Sequence, residues 1–99
     1  MIEIPLTSKA PHFSQEHVLF NKHYILEFEW IEQESYWVLH LYDHLEKPVA
    51  LGLKVFTEGY IWADAVNKIV LLLIANQPHA VLNLANLHKD FMLVAYEAV

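Results

Sequence analysis

The chain has no cysteine, no arginine and only two glycines among its 99 residues. The missing cysteine excludes disulfides and thiolate chemistry. The missing arginine removes the side chain best suited to grip phosphate in a bidentate way. Six lysines face 12 acidic residues, for a formal charge of −6. A chain so charged is not expected to bind nucleic acid, and anionic membranes are disfavoured on the same ground. Gly52 and Gly59 are too few and too far apart to build a phosphate-cradling loop. Long hydrophobic runs are also missing. The greasiest stretch, IVLLLIA at residues 69–75, is seven residues long and lies between Lys68 and Asn76, whereas a spanning helix needs about 20. The N-terminal MIEIPLTSKAPHF has neither a basic region nor a long apolar core, so no secretory signal is expected. These absences lead to the expectation of a soluble protein with no cofactor, no nucleic acid and no membrane among its partners.

What is abundant is apolar surface. Hydrophobic residues make up 56% of the chain and charged residues 18%, against roughly 45–50% and 25% in ordinary soluble domains. A chain of this length folds as one domain, spanning residues 1–99, with a core of modest size. Apolar surface beyond what that core needs is normally covered by a partner. Composition therefore points to a homo-oligomer or an assembly subunit.

The pattern is that of strands. Ile2 to Leu6 reads as a short strand ended by Pro5, which cannot donate to a ladder. Thr7 to Gln15 reads as a loop and His17 to Phe20 as a second strand, with Asn21-Lys22 as a two-residue turn. From Tyr24 onward the alternation is strict. Tyr24, Leu26, Phe28 and Trp30 take one face, and Ile25, Glu27 and Glu29 the other. After Glu32 to Ser35, the residues Trp37, Leu39 and Leu41 continue the core face, and Trp30 and Trp37 are placed to pack across the hairpin. A strand beginning at Pro48 follows. Residues 60–68 fit a short helix, Ile69 to Ala75 a strand, and Phe91 to Tyr96 a last strand. The expectation is a mainly all-β domain, a small antiparallel barrel or sandwich of six or seven short strands with one short helix near residues 60–68.

Chemistry is harder to find. His40 and His44 lie four apart, about 13 Å along a strand, too far to share an ion. His17 and His23 approach each other only across a hairpin and have no third ligand. Glu27, Glu29, Glu32 and Glu34 are the densest acidic cluster. Glu27 and Glu29 share a face at a spacing that suits paired carboxylates, but the wet side of a strand has the same pattern. Ser8, Ser14 and Ser35 lack any nucleophile elbow. The aromatic residues carry the stronger signal. Tyr24, Leu26, Phe28, Trp30, Trp37, Leu39 and Leu41 are the expected core. Tyr36, Val38, Tyr42, Phe56 and Trp62 fall on the second face, where a subunit interface, a second core layer and a small apolar ligand pocket are the alternatives, the interface first.

The order of these features resembles the baseplate plug family of contractile-tailed bacteriophages, known from a cyanophage. The shared features are Ile4-Pro5-Leu6, Leu19, the turn at Asn21, and Tyr24. Next come Trp30 with Trp37, Leu39, Leu41 and Asp43, then Pro48, Gly52 and the closing Leu93-Val94-Ala95-Tyr96. The turn glycine of the family is Asn21 here, and residues 59–80 match poorly. The resemblance implies a non-enzymatic virion subunit, made in the bacterial cytoplasm. It implies that the subunit plugs or organises the channel at the tail tip through contacts with baseplate hub and tail tube proteins. A small β-barrel accessory module with an apolar ligand pocket is the alternative, and a hydrolase built on Glu27 and Glu29 comes third.

Overall fold

The computed structural model describes residues 1–97. Eight strands and one short helix follow in the order β1 (Ile2–Ile4), β2 (His12–Leu19), β3 (Lys22–Ile31), β4 (Tyr36–Asp43), β5 (Pro48–Lys54), β6 (Tyr60–Asp64), β7 (Ile69–Ala75), α1 (Leu87–Asp90) and β8 (Phe91–Glu97). They form two four-stranded antiparallel sheets, β1-β8-β7-β6 and β2-β3-β4-β5. The architecture is a sandwich. Of the two closures consistent with the strand pattern, the open one is realised.

Period-two alternation puts one set of side chains from each sheet between the layers. Tyr24, Leu26 and Phe28 of β3 and Trp37, Leu39 and Leu41 of β4 are buried, and across from them lie Ile69, Leu71 and Leu73 of β7 and Phe91, Leu93 and Ala95 of β8. Each large side chain buried this way contributes roughly 1.5–3 kcal/mol relative to exposure. Trp37 organises one end of the core. Its ring meets Phe13 and Trp30 edge-on, with centroids 6.0 and 5.6 Å away. Its Nε1–H donates to the Asn83 carbonyl at 3.1 Å. That bond draws the 76–86 connection over the end of the sandwich, where Ala80, Leu82 and Leu87 pack on the core.

Three local outcomes differ from the sequence pattern. The strand expected at residue 17 begins at His12, so the preceding loop is shorter. The two-residue turn is Phe20-Asn21, because Leu19 pairs with Lys22. Both turn residues have positive φ, 51° and 70°, as a type I′ hairpin turn requires. Residues 60–68 hold no helix. Tyr60–Asp64 is strand β6, and the turn back to β7 is held by Asp64, whose Oδ1 accepts from Val66 N at 2.9 Å. Asn67 Nδ2 also donates to Asp64 Oδ2 at 2.6 Å. An Asx-type turn of this kind places apolar residues at helix-like spacing without a helix. The short helix is at Leu87–Asp90 instead.

The open edge between β1 and β2 is closed by polar groups. Gln15 lies on the inward register of β2, and its Nε2 donates to the Pro5 carbonyl at 2.7 Å. The same amide contacts His17 Nε2 at 2.6 Å. An amide nitrogen only donates, so the His17 nitrogen accepts and the ring is neutral. Burial pushes the His17 pKa down from its ordinary 6.5. Inward-pointing polar residues on an edge strand also discourage edge-to-edge pairing.

Candidate protein-docking surface

The residues considered for chemistry in the sequence do not converge. Among the described residues no three histidine or acidic side chains lie close enough to hold a metal ion. His17 faces inward, whereas His23 points outward to Glu16 at 3.4 Å. His40 Nδ1 accepts from the Gly52 amide at 3.0 Å. Glu27 is held in place from two sides: His12 Nε2 donates to Oε2 at 2.5 Å and the Tyr42 hydroxyl to Oε1 at 3.0 Å. The bond from His12 is the main reason its carboxyl is held below the ordinary 4.5. A general acid needs the opposite shift.

The second face of β4 is less bare than its sequence suggests. Val38 is buried, sitting between Glu29 and Lys54 in register. The Lys54 ammonium lies 5.2 Å from the centre of the Tyr36 ring, and Tyr42 is engaged by Glu27. Phe56 is exposed beyond the end of β5. An open groove of about 550 Å³ runs past Tyr36, Lys54 and Phe56 towards Leu82, with Glu34 and Glu58 on its walls. Trp62 belongs elsewhere. A register shift between Tyr60 and Trp62 lets neighbouring residues of β6 turn the same way, and its indole meets Tyr24 edge-on at 6.0 Å on the core side. The five residues therefore do not form one surface. Trp30, expected in the core, is half-buried at its rim, with Nε1 donating to Glu32 at 2.6 Å.

The outer face of the other sheet is more apolar. Inward residues of β7 and β8 alternate with Val70, Leu72 and Ile74 on β7 and with Met92, Val94 and Tyr96 on β8. Tyr60 pairs with Leu72 and extends the same face onto β6. Tyr60, Val70, Leu72 and Tyr96 line a shallow depression of about 330 Å³. Tyr60 is 63% exposed, Tyr96 38% and Ile74 37%, values that leave room for a partner. Among the described residues, the only charged one in register on this face is Glu3, on the β1 edge opposite Val94. Sequence reasoning missed this surface because a continuous apolar run reads as a strand covered on both sides. The usable signal was two such runs, 69–75 and 91–96, with no helix among the described residues long enough to cover them.

A family model described as cyanophage baseplate Pam3 plug gp18 matches residues 1–98 of the chain. No curated protein matches the sequence.

Proposed function

Given that the chain belongs to the cyanophage baseplate plug family, we propose that it is a non-enzymatic subunit that occupies or organises the central channel at the tail tip. On this reading it is a single domain, made in the host cytoplasm and built into the virion through contacts with hub and tail tube proteins. The match over residues 1–98 carries the reading. A surface rich in uncovered apolar side chains supports it, because such a surface suits a permanent assembly part.

Recovery of the protein in assembled tails tests this. A tagged copy expressed during tail production should co-purify with hub and tube proteins and be present in finished tails. Finished, contraction-competent tails that contain none of it would overturn the proposal.

A further inference from the structure

We propose that the outer face of the β1-β8-β7-β6 sheet is a docking surface for a second copy of this chain, joined face to face about a two-fold axis. The inference draws on the apolar surface that also supports the channel-plugging reading and names one occupant for it, but it does not require that role.

The face is antiparallel and carries no charged side chain in register on strands β8, β7 and β6. Tyr60, Val70, Leu72, Ile74, Met92 and Tyr96 supply its accessible surface. A partner must therefore offer an equally uncharged sheet or leave its own charges buried without partners. The chain carries such a surface itself, and a two-fold contact needs only one self-complementary patch. Charge placement favours one arrangement. With the axis along the strands, β1 of one copy lies over β6 of the other. Each Glu3 then faces the Tyr60 and Ala63 rim, and the two glutamates stay at opposite edges. Elsewhere the molecule carries the acidic residues that make its net charge −6. Those residues would repel a second copy on most other approaches, and this face keeps them out of the contact.

Area sets the strength. Strands spaced about 4.8 Å apart, with about seven residues rising roughly 3.3 Å each, give a footprint on the order of 400 Å². That is within the roughly 300–600 Å² of the largest apolar patches on monomers, which are often functional. Two such faces bury on the order of 800 Å², below the roughly 1,200 Å² of stable specific interfaces and in the range of weak, transient ones, so the pairing is reversible and concentration-dependent.

Sedimentation of the purified full chain over a wide concentration range tests the proposal. The expected result is a shift from the monomer mass of 11.6 kDa towards twice that value. Ile74→Lys and Tyr96→Lys each place a charge in the contact at a partly exposed position, where folding tolerates it. Each should weaken association by about tenfold or more, while Leu51→Lys on the other sheet should not. Far-UV circular dichroism of each variant checks that it is folded. Because the chain has no cysteine, a Glu3→Cys/Ala63→Cys double variant should cross-link between copies with a short bis-maleimide. A wild-type chain that stays monomeric at the highest concentration overturns the proposal. So does a dimer indifferent to both lysine variants, or capture of a different baseplate protein on this face by a chain that does not pair.

Discussion

Single side chains decide how this protein responds to acid. His17 accepts a hydrogen bond from Gln15 and is neutral in the fold, with burial holding its pKa below 6.5. The unfolded chain therefore takes up a proton first. The stability that His17 contributes is complete above pH 6.5 and is lost as pH falls from there towards the folded value. Glu27 acts lower on the scale. His12 and Tyr42 hold its carboxylate below 4.5, so its contribution is complete above that pH and disappears as pH falls through the depressed value. Asp64 behaves likewise, its carboxylate stabilised first by the Asn67 side chain. Urea midpoints measured from pH 8 to pH 3 should thus decline in two stages, and His17→Gln should remove the upper one while leaving the lower. A wild-type midpoint flat between pH 7 and pH 5 would contradict the assignment of His17 as a neutral acceptor.

Elements differ in how openly the sequence declares them. The β3–β4 hairpin was legible because its alternation is strict and its two tryptophans sit directly across from each other, Trp30 opposite Trp37. The β2–β3 turn was legible only to within a residue. Asn21 signals a left-handed position, but nothing in Phe20 does, and its φ of 51° is imposed by the pairing of Leu19 with Lys22. Residues 60–68 were read as helical because Trp62, Val66 and Ile69 share helical spacing, whereas Asp64 and Asn67 settle a turn through bonds that periodicity does not register. The candidate docking face was hidden for a third reason. Val70, Leu72 and Ile74 are apolar like the core residues between them, so sequence does not say which side is covered. The turn offers a direct test. Glycine adopts the left-handed conformation at lower cost than asparagine and is the preferred second residue of a type I′ turn. Asn21→Gly should therefore be neutral to stabilising, by about 0.5 kcal/mol, and Asn21→Val should destabilise by about 1–2 kcal/mol. Thermal melts of the two variants check the order. A valine variant as stable as wild type would mean that the turn is not constrained as described.

At the scale of the molecule, charge is divided unevenly between the two sheets, although both show apolar side chains to solvent, Val18, Val49 and Leu51 among them on the charged one. The sheet β2-β3-β4-β5 carries the outward glutamates, histidines and Lys54, tied to one another through Glu27, Tyr42 and Tyr36. The sheet β1-β8-β7-β6 has almost none of this and shows tyrosine, leucine, isoleucine and valine to solvent. This division gives self-association a distinctive salt response. Two copies of net charge −6 repel one another at long range, and that repulsion is screened over about 10 Å at 0.1 M salt. The contact itself contains no ion pair that salt could weaken. Pairing through the apolar face should therefore tighten as ionic strength rises, more strongly in sulfate than in chloride, and should loosen on cooling as the hydrophobic contribution declines. Docking through the glutamate-rich sheet onto a basic surface would do the reverse, losing affinity with added salt. Dimer dissociation constants from sedimentation equilibrium, in low salt and at about 0.5 M, separate the two. A constant that rises with salt would assign the contact to the charged sheet and remove the apolar face from consideration.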